Sequence, residues 1–150
     1  MSTVSRILII EARFYDEVAD GLLKGTQAVL NAANVANEVM TVPGILELPS
    51  TLLYAWTMKP GRTKPGYAGA VVLGCAVKGE TDHYEHVCRE AMSGVQRVAL
   101  DHHIPVGNGI LTCPTWELAL NRANPAEGDA GGRAARAVLR LIEIARGFGL

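Results

Sequence analysis

A chain of 150 residues, 49 % of them hydrophobic and 19 % charged, has the length of one ordinary domain and enough apolar side chains to bury a core. Its formal net charge of −1 gives no electrostatic case for binding nucleic acid or an anionic membrane. No apolar run reaches the roughly 18 residues that a membrane span requires.

The opening "MSTVSRILII" lacks the basic start, long apolar stretch and small-residue cleavage site of a signal peptide. It leaves only a short segment before the first predicted strand. Cys75, Cys88 and Cys113 are odd in number and widely spaced, which predicts reduced thiols in a cytoplasmic protein rather than a disulfide framework.

"RILIIEA" at 6–12 is a continuous run of β-branched residues and leucine, the pattern of a strand buried on both faces of a parallel sheet. A helix is predicted over 16–34, with Val18, Leu22, Thr26, Val29, Leu30 and Ala33 on one stripe. "NEVMTVPG" at 37–44 is a second strand, stopped by Pro43-Gly44. A helix over 46–58 tolerates Pro49 in its first turn. "KPGRTK" at 59–64, the only basic run, is broken by Pro60 and Gly61, is followed by Pro65, and reads as a linker. "YAGAVVLGCAV" at 67–77 is the most strand-like run of the chain, and the helix after it spans about 84–101. A fourth strand at 104–112, a short helix at 114–123, a loop, and an amphipathic helix from Arg133 to Arg146 complete the pattern. Strands alternating with helices in this way predict one α/β domain over 1–150: helices on both faces of a four-stranded parallel sheet.

In such sheets ligands bind beyond the carboxyl ends of the strands. Those ends fall at Arg13-Phe14, Pro43 to Glu47, Lys78 to His83 and Thr112-Cys113. His83 and His86, with Asp82, Glu85 and Cys88 nearby, raise zinc, but HExxH and paired cysteines are missing. His83 suits proton transfer better than metal ligation, the bland alternative being a solvated helix-start histidine. Gly79, Glu80 and Thr81 precede a helix N-terminus, where backbone N–H groups favour an anion. The same three residues also fit a plain turn capped by Thr81 or Asp82, and the Glu80 carboxylate would repel an anion unless it points away. Phe14 is placed either to stack on a planar ring or to pack at a helix start. Glu47 stands at a helix start, where acids are common for dipole reasons alone. Arg122 is either a phosphate clamp or a solvated cation, and Arg133, Arg136 and Arg140 form a stripe facing solvent or another subunit.

Five segments together resemble the lumazine synthase family: "ARFYD" at 12–16, "VPGILELP" at 42–49, "KGETDHYEHV" at 78–87, "PVGNGILT" at 105–112 and "ELALNRA" at 117–123. They occur in the family's order and span about residues 6–123, and the closing helix fits more loosely. The resemblance implies a flavodoxin-like three-layer αβα sandwich that assembles as a pentamer or as multiples of pentamers. It implies sites between subunits, small-molecule substrates, and neither metal nor cofactor. The implied reaction condenses 5-amino-6-(D-ribitylamino)uracil with 3,4-dihydroxy-2-butanone 4-phosphate to 6,7-dimethyl-8-ribityllumazine, the penultimate step of riboflavin synthesis.

Carried over position by position, the resemblance makes His83 the proton-transfer residue and Phe14 the ring stacked on the pyrimidine. Ile45, Leu46, Glu47, Cys75, Ala76 and Val77 would hold the uracil and its ribityl chain. Gly79, Glu80 and Thr81 would cradle the phosphate, and Arg122 of a neighbouring subunit would pair with it. Asn108 falls where many members close the site with a Phe from the next subunit. Lys78 in place of Arg, which keeps the charge but loses the bidentate fork, and Ala130 in place of a frequent Lys are departures from the family pattern. Leu46 and Asn108 in place of Phe give up aromatic contact and predict weaker product binding. These two also motivate a rival reading, a weakly active, flavin-binding or shell-forming relative; a flavodoxin-like regulator of phosphorylated ligands is another.

Overall fold

The computed structural model describes residues 6–57 and 66–150. The linker read at 59–64, the last residue of the helix predicted over 46–58, and the segment before Arg6 lie outside the described residues. Four strands form one parallel sheet in the order β2-β1-β3-β4: β1 (Arg6–Ala12), β2 (Ala36–Val42), β3 (Gly69–Val77) and β4 (Val106–Cys113). Five helices join and cover them: α1 (Asp16–Ala32), α2 (Leu48–Trp56), α3 (His83–Asp101), α4 (Trp116–Ala123) and α5 (Ala130–Gly147).

The side-chain alternation of the strands divides the core into two layers. On β1, Ile7 and Ile9 face Leu22 and Leu30 of α1, Ala119 of α4 and Val138 of α5. Leu8, Ile10 and Ala12 face Leu48 and Leu52 of α2 and Ala91 and Val95 of α3. Each fully buried Leu or Ile contributes about 1.5–3 kcal/mol, so the continuous apolar runs of β1 and β3 fix the sheet's centre. The result is the three-layer α/β sandwich that the alternating pattern predicts. β2, at the sheet edge, is different: five of its seven residues are exposed.

Turn chemistry sets the boundaries. α1 and α3 end in the same way, with Asn34 at φ 57° and His103 at φ 54° in the left-handed region. The next residues, Val35 and Ile104, donate their N–H to the carbonyls of Leu30 and Ala99, each at 2.9 Å, and bury their side chains. The helix predicted over 46–58 begins instead as a 3-10 turn, Ile45–Glu47, and becomes α2 at Leu48 with Pro49 in the first turn. The closing helix starts at Ala130, three residues before the predicted Arg133. Asp129 caps it by accepting the Gly132 N–H at 3.1 Å.

One glycine determines how the 3-10 turn sits on the sheet. A Cβ at Gly74 would stand 2.6 Å from Ile45 Cγ2 and 3.1 Å from Ala12 Cβ. Only a bare backbone at this point of β3 lets Ile45 lie down against the strand.

Candidate active site

The carboxyl ends of β1, β2 and β3 converge with the start of α3 on a cavity of about 230 Å³. Phe14 and Tyr15 enter from the β1–α1 turn, and Gly44 to Glu47 from the β2–α2 connection. Cys75 and Ala76 come from the end of β3, and His83, Tyr84 and Val87 from the first turns of α3. Phe14, Ile45, Leu46, Glu47, Cys75, Ala76 and His83, drawn from the predicted strand ends and the residues beside them, therefore surround one hole.

Each wall has a local cause. The Arg13 N–H donates to the Val42 carbonyl at 3.0 Å, which ties the turn after β1 to the end of β2. The Arg13 guanidinium donates to Glu11, Asp16 and Asp20 at 2.9, 3.1 and 2.8 Å. The bond to Glu11 is the main cause that raises the Arg13 pKa, with Asp20 and Asp16 adding to it. Glu47 turns its carboxylate back to accept the Gly44 N–H at 3.1 Å, so helix-start geometry fixes that side chain at the cavity rim. Phe14 is 71 % exposed and Leu46 47 % exposed, open apolar surface on a cavity wall.

Cys75 supplies the thiol of the inner wall, with two more thiols behind it. Cys75, Cys88 and Cys113 are all free. Burial first, then the neighbouring Cys113 and Cys88, pushes the Cys75 thiol up to about 12. Burial likewise raises Cys88 and the Tyr84 phenol, which shares hydrogen bonds with Thr112 and Cys88. Cys75 and Tyr84 therefore face the cavity as neutral donors and acceptors near neutral pH rather than as nucleophiles.

Val77 ends β3 half-buried beside the lining residues without lining the cavity itself. Gly79, Glu80 and Thr81 form an exposed loop just before α3. A side chain at Gly79 would meet nothing within 4 Å. Thr81 Oγ1 accepts the His83 N–H at 3.3 Å, and Asp82, at the N-cap position, makes no side-chain cap bond. Two predicted residues stand apart. Asn108, exposed on β4, accepts the Ile110 N–H at 2.9 Å and has Nδ2 3.8 Å from Met92 Sδ. Arg122 on α4 is exposed, with Nη1 4.0 Å from Cys113 Sγ.

Tyr15, Gly44, Tyr84 and Val87 were missed as lining residues. Tyr84 and Val87 fall inside the helix predicted over 84–101, where helical spacing puts both on its apolar face, and Tyr15 falls just before the helix predicted over 16–34. The available signal was adjacency, since each lies within four positions of a predicted site residue. Among the described residues, no group of three or more His, Cys, Asp or Glu side chains is placed to hold a metal ion. No helix among them is long and apolar enough to cross a membrane.

Residues 4–146 match a family described as 6,7-dimethyl-8-ribityllumazine synthase. A protein of that name from Paramagnetospirillum magneticum is 46 % identical over 148 residues, covering 98 % of this chain and 99 % of its own length. Relatives of the same name from Methylorubrum populi and Rhodopseudomonas palustris are each 44 % identical. They cover 97 % and 95 % of this chain, and 86 % of their own lengths.

Proposed function

The chain belongs to the 6,7-dimethyl-8-ribityllumazine synthase family, and from that premise we propose how its residues carry the reaction. It is an enzyme of riboflavin biosynthesis, a transferase that condenses 5-amino-6-(D-ribitylamino)uracil with 3,4-dihydroxy-2-butanone 4-phosphate. The amine of the uracil adds to the ketone, and loss of water gives an imine. Elimination of inorganic phosphate leaves an enol that tautomerises to a second ketone. The ribitylamino nitrogen closes the ring on it, and a second water departs.

Each step moves a proton, and one step releases a dianion. In our reading His83 moves the protons, because it brings an imidazole to a wall otherwise made of apolar side chains, neutral thiol and phenol groups, and a carboxylate already engaged by Gly44. Phe14 stacks on the pyrimidine, while Ile45, Leu46 and Glu47 on one side and Cys75, Ala76 and Val77 on the other hold the uracil and ribityl chain. Gly79, Glu80 and Thr81 receive the phosphate on backbone N–H groups at the start of α3, where the helix dipole favours an anion. This requires the Glu80 carboxylate to turn outward.

The single observation that carries the reading is the cavity that gathers Phe14, the 3-10 turn, the end of β3 and His83. Mixing the protein with both substrates and following lumazine absorbance tests it. We expect a rate above the spontaneous condensation, and no such rate sinks the assignment.

We infer one domain over residues 1–150, working in the cytoplasm as a pentamer or a multiple of pentamers. Arg122 and Asn108 support the assembly, since both stand off the cavity of their own subunit and are exposed. In a ring of subunits, Arg122 would meet a neighbour's phosphate and Asn108 would close a neighbour's site. Leu46 and Asn108 favour a second reading, a weakly active, flavin-binding or shell-forming relative, because both positions lack the aromatic contact with product; the same assay distinguishes it.

A further inference from the structure

We infer that Trp116 is a positioning residue for the ring of Phe14, acting through Tyr15, which meets both rings edge to face. This rests on the reading that Phe14 stacks on the uracil. At 71 % exposure, the Phe14 ring has little packing of its own to hold it before substrate arrives. A ring free to rotate must be ordered on binding, and that ordering weakens affinity.

The structure supplies an alternative restraint. The Phe14 and Tyr15 ring centroids lie 4.9 Å apart at 77°. The Tyr15 and Trp116 centroids lie 5.3 Å apart at 65°. Both distances fall in the range of attractive edge-to-face aromatic pairs. Tyr15 and Trp116 are themselves half-buried against the core beneath α1, α4 and α5. Trp116 opens α4, which is anchored by the Thr115 hydroxyl, accepting the Leu118 N–H at 3.2 Å, and by buried Ala119 and Ala123. A row of three rings thus runs from the core to the exposed ring at the cavity.

The backbone of Phe14 is held independently. Arg13, one residue earlier, is bound to Val42 through its N–H and to Glu11, Asp16 and Asp20 through its guanidinium. Glu11 is 3 % exposed and also accepts the Thr41 hydroxyl at 2.8 Å. With the peptide fixed in this way, rotation of the ring is the freedom that remains, and the Tyr15 edge restricts it. Trp116 does not line the cavity of its own chain, so its effect on a uracil held there passes through Tyr15.

The test compares Trp116→Leu, Trp116→Phe, Phe14→Ala and the Phe14→Ala/Trp116→Leu double variant. KM for each substrate, kcat, particle mass and melting temperature are measured for all four. Trp116→Leu should raise KM for the uracil about two- to tenfold, the worth of one aromatic pair. KM for the phosphorylated ketone and kcat should move less. Trp116→Phe should recover most of the loss, and Trp116→Leu should add nothing in the Phe14→Ala background. An equal rise in both KM values, or fully additive losses in the double variant, overturns the relay. If Phe14→Ala leaves KM for the uracil unchanged, the stacking reading itself falls, whatever Trp116 does. Should Trp116→Leu fail to assemble, Trp116→Phe takes its place in the cycle: it keeps a ring against Tyr15, and any rise in KM for the uracil that it causes must vanish in the Phe14→Ala background.

Discussion

His83 and Cys75 line the same cavity and are suited to opposite work. His83 lies in the exposed first turn of α3, while Cys75 is 6 % exposed at the end of β3. We expect His83→Ala to lower kcat severalfold or more with the particle mass unchanged; an unaltered kcat would remove its role. The remaining rate would reflect two reactants held in register, an effect large enough to survive loss of a proton carrier. For Cys75, burial favours the protonated thiol in the folded protein. Its contribution to stability is full below the ordinary thiol value of 9.0 and is lost as pH climbs from there towards about 12. Urea unfolding followed from neutral to alkaline pH should therefore show a falling limb that is shallower in Cys75→Ala. At this scale the cavity lining was partly legible: Phe14, Glu47 and His83 each have an ordinary structural explanation, and only their clustering at one edge of the sheet set them apart. Tyr15 and Tyr84 were hidden because an aromatic at a helix start also satisfies a packing pattern, and Tyr15 both packs against the core and lines the cavity.

Elements were legible where burial is one-sided in its demands. β3, and β1 over residues 7–10, announce themselves as apolar runs because both of their faces are covered. The start of α5 was not legible. Gly131 and Gly132 read as loop by helix propensity, yet both are buried in the first turn. A side chain at Gly131 would run into the Leu22 carbonyl, so close approach of α1 to α5 outweighs the intrinsic cost of glycine. The capping residues give a direct test. Thr115→Ala removes the acceptor for the Leu118 N–H and should destabilise the protein by about 1 kcal/mol. For a domain of this size that corresponds to a melting temperature lower by about 2–4 °C. Because α4 carries both Trp116 and Arg122, the same substitution should disturb substrate binding more than an equally destabilising change in α2.

For the whole molecule, the separation of Arg122 from the cavity of its own chain becomes a prediction about sharing. Arg122→Ala should mainly raise KM for the phosphorylated ketone, read from steady-state kinetics, because a charge-assisted pair to phosphate is lost while His83 remains. His83→Ala and Arg122→Ala subunits co-assembled at equal amounts should recover activity above either parent if one site draws on two subunits. Recovery fails if every site is built within one chain. Sequence pattern alone reaches the sandwich and the edge of the sheet that holds the site, since periodicity and strand ends are local properties. It does not reach which surfaces of one copy complete the site of another, because an exposed Arg and an exposed Asn look the same in solvent and at a subunit boundary.

Ile45 fills the space above Gly74, so the sizes allowed at the two positions constrain each other. A methyl group there would strike Ile45 Cγ2, and through Ile45 it would lift the whole 3-10 turn that carries Leu46 and Glu47 to the cavity. Sizes at 45 and 74 should therefore trade off across relatives, a side chain gained on the strand being matched by one reduced on the turn. Gly74→Ala alone should cost both stability and uracil affinity, and Gly74→Ala with Ile45→Ala should recover part of each. If the 3-10 turn holds the uracil as proposed, substrate fit is set partly by a residue that presents no side chain at all.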